Sequence, residues 1–310
     1  MTGRIELHCH LDGSVRPETI RRLAAAQDLT LPGPVDKLAV APPSCRTLPE
    51  YLGYIDIALD VLQRPEALHQ VAVELVEDWA ADGVGHGEVR FAPQLHQRAG
   101  LRLEEVLDAV DEGLVEGSRR WGVTTSLILC CLRHQPPRIS AEVARLALDR
   151  RDVVAGLDLA GDETMPGAPH REAFDAAHAA GLPVTIHAGE AAGADSVWEA
   201  LDVLGAQRIG HGVRSAEDPA LLSRLRTDDI VLEMCPTSNV QTGAVTTPAA
   251  HPIDTLLRQG VPVTVSTDAR TVSNTTLGRE FESLRAMFGW TAAQERECQD
   301  NAGRGAFRAP

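Results

Sequence analysis

Lysine is almost absent. Of 29 basic residues only Lys37 is a lysine, and it lies in a Pro-rich stretch, so Schiff-base chemistry has no good candidate. Positive charge is scarce as a whole: 29 Lys and Arg stand against 44 Asp and Glu, a net charge of −15 with His neutral. A surface that negative repels phosphate backbones and anionic lipid, so nucleic acid and membrane surfaces are excluded as first partners. No apolar run approaches the roughly 18–20 residues that a membrane helix needs. The opening MTGRIELHCHLDG has no basic stretch leading into an apolar one, so no signal peptide is expected and the cytoplasm is the default location. Six cysteines in 310 residues are too sparse for a disulfide framework, and most sit in apolar runs such as LILCCLRH. No Gly-rich phosphate loop follows the first strand-like run, which counts against a doubly wound nucleotide-binding sheet. Internal repeats and low-complexity tracts are also missing.

What remains is a chain with 44% apolar and 24% charged residues, enough for a sizeable core. Eight short β-branched or near-continuously apolar runs stand out. They are IELHCHL (5–11), GEVRFA (87–92), TSLILCCL (125–132), VVAGLDLA (153–160), PVTIHA (183–188), QRIGHG (207–212), DIVLEMC (229–235) and PVTVST (262–267). Such runs are expected of strands covered on both faces. Helix-period stretches lie between them, for example LEEVLDAVDEGLVEGSRRW. Eight alternations predict an α/β fold, a (β/α)8 TIM barrel, in one domain covering 1–310. Residues 12–86 hold more helix than one crossover requires. This extended helical segment after the first strand either caps the mouth of the barrel or enlarges its outer ring.

The chemistry gathers at the predicted strand ends. His8 and His10 share one face of the first strand, because side chains alternate with a period of two. Two imidazoles held so close need a shared proton or a shared cation. His187 ends the fifth strand, His211 the sixth and Asp268 the eighth. In a parallel barrel these ends converge on the face where active sites are built. Three neutral imidazoles and a carboxylate suit zinc or a similar divalent ion. Such an ion makes hydroxide available in neutral solution. Glu190, three residues past His187, is the natural general acid. From the residues alone His211 is either a fourth imidazole ligand or a base beside the metal.

HCHLDGS, GEVRFAPQLH, LDLAGDE, TIHAGE, RIGHG, EMCPTSN and VSTDARTVSNTTL follow one another between His8 and Leu277, within a likeness that runs from residue 5 to about residue 282. Together they resemble the adenosine deaminase family of metal-dependent hydrolases. The resemblance implies a (β/α)8 barrel with one zinc ion held by His8, His10, His187 and Asp268. It implies Glu190 as proton donor to purine N1, and His211 as the base that orients and deprotonates the attacking water. It also implies that Asp12 contacts the ribose and that the backbone amide of Gly161 contacts purine N3. One position departs from the pattern. The family usually carries an acid, or in many bacterial members an asparagine, directly after the metal aspartate, where it bonds purine N7. Here that residue is Ala269, which has no side-chain donor or acceptor.

Other polar residues have structural readings. Arg90, within a strand, needs a buried carboxylate partner. Arg16 is expected at a helix start on the surface. His69, His86, His96, His134, His170, His178 and His251 are expected as surface or capping residues. Cys9 should point outward into the helical layer, and Ser238 and Asn239 should shape the loop after the seventh strand. The expected activity is zinc-dependent hydrolytic deamination of adenosine or a close 6-aminopurine nucleoside, with release of ammonia and a place in purine metabolism. The alternative is the same chemistry on another amino-heterocycle: free adenine, a 5′-modified adenosine or a non-standard purine. A nucleoside-binding barrel without turnover would predict broken metal ligands or a missing acid, and the sequence has neither. The expected partner is a small-molecule substrate; the oligomeric state is not legible.

Overall fold

A computed structural model describes residues 3–309 of the chain. Eight strands pair in parallel and in sequence order: β1 (Arg4–His10), β2 (Val84–Phe91), β3 (Thr124–Leu132), β4 (Val154–Ala160), β5 (Val184–Ala188), β6 (Arg208–His211), β7 (Val231–Met234) and β8 (Val263–Val265). The ring meets through a parallel bridge between Cys9 and Asp268. The His10 N–H donates to the Asp268 carbonyl at 2.6 Å, and the Asp268 N–H donates to the His8 carbonyl at 3.0 Å. All eight expected runs are strands. The boundaries differ most at β2, which starts at Val84, and β7 and β8 are both shorter than expected, β7 starting at Val231 and β8 stopping at Val265. Beyond Val265 the chain turns into the site instead of extending the ladder.

Helices surround the barrel. The outward side chains of the strands, among them Val89, Leu129, Leu159, Ile186 and Val263, form one continuous apolar cluster with helix residues such as Val110 and Phe174. Cys9 belongs to this cluster, as alternation around His8 and His10 requires. The pairing register slips between Glu6 and Cys9. This bulge lets Glu6 face outward to Trp79, whose indole N–H it accepts at 2.7 Å, while His8 faces the axis.

The segment after β1 does both things considered for it. Its last helix, Pro65–Ala81, packs against Leu103–Trp121 and β2 in the outer ring. Gly113 permits that close approach, because a Cβ there would collide with the His69 carbonyl. Its shorter helices, Leu48–Gly53 and Asp56–Val61, cross the mouth of the barrel. Leu48, Tyr51, Leu52, Ile55 and Leu59 from these two form one wall of the main cavity. Among the described residues no helix is long and apolar enough to cross a membrane.

Candidate active site

At the C-terminal ends of the strands lies a cavity of about 330 Å³. His10, His187 and Asp268 line its floor, and the fully buried His8 joins them, with the ligand atoms of all four within 4.8 Å of one another. His10 Nε2 is 3.1 Å from His187 Nε2. Asp268 Oδ1 is 3.5 Å from both His8 Nε2 and His10 Nε2. Two of the residues that line the floor sit in left-handed backbone conformations, His211 at φ 64° and Asp268 at φ 62°. Non-glycine residues rarely adopt this region, and such strain collects at functional sites. Here it ends β6 and turns the chain out of the β8 ladder, swinging both side chains into the cavity.

The layer beneath sets the polarity of the floor. His8 Nδ1 donates to Glu233 Oε2 at 2.8 Å, and His187 Nδ1 donates to Asp158 at 3.0 Å. Arg90 ties these acceptors together, donating to Asp158 Oδ2 at 3.1 Å and to Glu233 Oε2 at 2.6 Å. Arg208 adds a bond to Glu233 Oε1 at 2.6 Å. Burial would raise the Glu233 carboxyl, but Arg90 and Arg208 overcome that and hold it well below the usual carboxylate range. An ionised carboxylate only accepts, so the proton of each histidine is drawn to Nδ1 and its Nε2 lone pair faces the centre. His8 Nε2 is buried with no hydrogen-bond partner. Buried lone pairs converging with a carboxylate fit a divalent cation, and carboxylate-backed histidines are the common support of such sites. Asp268 Oδ2 is occupied by the Ser238 hydroxyl at 2.5 Å.

Glu190 and His211 stand beside this group. Burial, with help from the charges of Asp268 and Glu163, pushes the Glu190 carboxyl well above its ordinary range. Thr242 donates its hydroxyl to Glu190 Oε1 at 2.9 Å. The turn that carries Glu190 is gripped by Glu163. Its Oε1 accepts the Gly189 N–H and, at 2.7 Å, the Ser196 hydroxyl. Its Oε2 accepts the N–H groups of Glu190 at 2.9 Å, Ala191 at 2.5 Å and Ala192 at 3.1 Å. His211 Nε2 lies 3.6 Å from Glu190 Oε2. Burial, then the neighbouring His8, keeps the His211 imidazole well below its ordinary range, so it is neutral.

Asp12, Gly161 and Ala269 also line the cavity. Burial raises the Asp12 carboxyl to about 6. Gly161 has φ 90°, and a Cβ there would stand 2.9 Å from His134 Nδ1. Ala269 is buried beside Tyr51 and Val272, in an apolar patch.

Several expectations are corrected. His86, His96, His170 and His251, expected as surface or capping residues, are buried; His251 does cap, its Nδ1 accepting the N–H of Ile253 at the start of the helix Ile253–Arg258, and His134 lines the cavity. Ser238 and Asn239 do more than shape a loop, since they bond Asp268 and His211 directly. Arg90 has its carboxylate partners, and they are the ones that orient the floor histidines. Arg16 pairs with Glu77 at 2.7 Å and Asp78 at 2.6 Å on the outer helix, as a surface role requires. Residue-by-residue reading missed Asp158, Glu163, Glu233 and Thr242. A signal existed for two of them: Asp158 and Glu233 are lone acids inside apolar strands, and so is Arg90 a lone base. Glu163 and Thr242 lie in loops and carry no such mark.

The comparisons agree with this geometry. The profile of the adenosine deaminase family matches residues 3–309. A relative from Enterococcus faecalis, named adenosine deaminase, is 41% identical over 312 residues, spanning 99% of this chain and 92% of its own. The crystal structure of an adenine deaminase from Arthrobacter aurescens superposes with a TM-score of 0.93 at 30% identity, covering 100% of this chain and 95% of that one. The N6-methyl-AMP deaminase of Arabidopsis thaliana gives a TM-score of 0.87 at 25% identity, covering 99% and 92%. A parallel barrel with a histidine–aspartate floor and a buried acid at its mouth defines a barrel hydrolase. The chain belongs to the adenosine deaminase family. It is a hydrolytic deaminase that acts on a C–N bond of a purine.

Proposed function

We propose that the chain is a zinc-dependent deaminase of adenosine or a close 6-aminopurine nucleoside. His8, His10, His187 and Asp268 would hold one zinc ion, and the bare, buried Nε2 of His8 is the observation that fits them to it. When bound, such an ion lowers the pKa of coordinated water from about 15.7 towards about 7 and so supplies a nucleophile at neutral pH.

The protein side chains do the rest. Burial, with the charges of Asp268 and Glu163, pushes the Glu190 carboxyl well above its ordinary range and so favours the protonated acid. Since Thr242 donates to Oε1, the acid proton belongs on Oε2, which faces the cavity. Glu190 donates this proton to N1 of the purine, which draws electrons from C6. Water adds at C6 to give a tetrahedral carbon while His211 orients the attacking oxygen; of the two protons that this oxygen sheds, one passes to the exocyclic nitrogen, which departs as ammonia, and the other returns to the Glu190 carboxylate. Asp12 meets a ribose hydroxyl, and the Gly161 backbone lies against N3, where a side chain would block the ring. The Leu48–Leu59 wall excludes water.

The observation that carries this reading is the meeting of a neutral buried acid with converging histidine lone pairs in one cavity. Metal analysis of the purified protein and ammonia release with adenosine, adenine and a 5′-modified adenosine test it. Glu190→Gln should keep the metal and lose turnover by at least about 100-fold. Near wild-type turnover in that variant would remove the acid assignment.

Ala269 favours a second reading, the same chemistry on another amino-heterocycle. The residue is buried on the cavity wall and offers nothing to a ring nitrogen. The structural neighbours named for adenine and for N6-methyl-AMP support this breadth.

A further inference from the structure

Asn239, on the short helix Pro236–Gln241 after β7, stands between two histidines. Its Oδ1 faces the Cys235 N–H at 3.3 Å and His251 Nε2 at 3.2 Å. Its Nδ2 faces His211 Nδ1 at 3.0 Å. His251 Nδ1 in turn faces the Ile253 N–H at 3.2 Å. All three side chains are buried.

The direction of this chain follows from its two backbone ends, because a backbone N–H can only donate. The Ile253 N–H makes His251 Nδ1 an acceptor. Burial lowers the His251 imidazole to about 3, so it is neutral and carries its single proton on Nε2, aimed at Asn239. The Cys235 N–H demands oxygen at the same side of the amide. Two donors therefore converge on Oδ1, and the NH2 group is left facing His211. An amide NH2 only donates, so His211 Nδ1 must be a bare lone pair. With Nδ1 bare, the single ring proton is on Nε2, the nitrogen on the side of Glu190. Reversal of any one member would set donor against donor in a buried place.

His8 and His187 have the opposite arrangement. Their Nδ1 atoms face carboxylates, so they turn lone pairs toward the cavity. Of these three histidines, His211 is the one backed by a donor. Its Nε2 consequently suits a hydrogen-bond acceptor in the cavity better than a cation.

We infer that Asn239 and His251 are positioning residues that hold neutral His211 as its Nε2–H tautomer, so that it meets the attacking oxygen as a hydrogen-bond donor and does not take that oxygen's proton at Nε2. The inference rests on the proposed deaminase reading for the identity of that oxygen. It revises the base role that the family resemblance implied for His211.

The test is nitrogen NMR of the metal-loaded protein labelled with 15N-histidine, with His211 assigned by the signal lost in His211→Gln. A pyrrole-type signal at Nε2 and a pyridine-type signal at Nδ1 are expected. Asn239→Asp sets an acceptor against Nδ1 and should move the proton there. The kcat of that variant should fall about 10–100-fold with little change in KM. His251→Phe removes the far donor without touching His211 and should give mixed tautomers with a smaller fall in kcat. A wild-type spectrum with the proton on Nδ1 overturns the inference. So does wild-type kcat in both variants. Metal content and ammonia release of the wild type, measured alongside, report on the deaminase reading separately, since the tautomer is read from the spectrum whatever the substrate.

Discussion

His10 Nε2 and His187 Nε2 stand 3.1 Å apart at the floor of the barrel mouth, although they come from residues 177 apart in sequence. Asp158 holds the His187 proton on Nδ1, so His187 offers His10 a lone pair. Burial, with the neighbouring His187 and His8 adding to it, keeps His10 well below its ordinary range despite Asp268. A neutral His10 keeps a single proton; with that proton on Nδ1, two Nε2 lone pairs face each other, the arrangement that a cation binds.

Removal of that cation should be visible in stability. Chelation of the purified protein should lower the melting temperature, and zinc should restore it. Ligand linkage sets the size at about 4 kcal/mol when free metal is about 1,000 times Kd. His10→Ala should abolish the zinc response while remaining folded, as measured by calorimetry with and without metal. An unchanged zinc response in His10→Ala would remove His10 from the ligand set.

Glu233 serves two purposes at once. It orients His8 and neutralises Arg90 and Arg208, all buried. Glu233→Gln should therefore weaken metal binding about 10–100-fold. It should also destabilise the fold by about 3 kcal/mol, because two buried guanidinium groups each lose one of two carboxylate partners, Arg90 keeping Asp158 and Arg208 keeping Glu88. Metal titration and denaturant unfolding read the two effects apart. Loss of only one of them would show that the layer under the site is not the coupled unit described above.

On the proposed reading, Ala269 offers nothing to position 7 of a purine, so the wild type should tolerate a change there. Adenosine and 7-deazaadenosine should differ little in kcat/KM. Ala269→Asn supplies a donor at the buried wall, and a hydrogen bond to a buried polar atom is worth about 1–3 kcal/mol. The variant should then prefer adenosine by about 5- to 150-fold. Equal use of both substrates by Ala269→Asn would mean that the ring does not sit against this wall.

Buried titratable groups that do not touch the reacting atoms contribute to the pH dependence of stability. Burial lowers His96 to about 4 and His251 to about 3. Between these values and 6.5 the unfolded chain binds protons that the folded chain refuses, so stability falls as pH drops below about 6.5. Glu280 runs the other way. Burial raises it from 4.5 to about 7, so its contribution is full below 4.5 and is lost as pH rises through 7. Each pH unit of displacement is worth about 1.4 kcal/mol, which makes the Glu280 effect about 3 kcal/mol. Glu280→Gln should flatten the decline between about pH 5 and 8 and leave the acid limb in place. Urea unfolding across that range is the check, and an unaltered decline would exclude Glu280 as its source.

Much of the architecture was legible because it depends on patterns that neighbouring residues carry. Apolar runs such as VVAGLDLA and PVTIHA show strands covered on both faces, and their alternation with helix-period stretches leaves few folds to choose from. The floor residues were legible for the same reason: His8 and His10 alternate on one strand, and His187, His211 and Asp268 close others. The buried histidines were not. Nothing in the residues flanking His251 or His96 tells which nitrogen meets which backbone group, since those partners are set by how loops and helices pack.

The amino-acid sequence by itself determined the barrel, the residues at its mouth and the family to which they belong, because strand period and strand ends are local properties. Only the tertiary structure decided which nitrogen each histidine turns toward the cavity. That polarity comes from the partner behind each ring, Glu233 behind His8, Asp158 behind His187 and Asn239 behind His211. Each of these partners arrives from a different strand or helix, and a hydrogen bond acts only between groups that folding has already brought within about 3 Å.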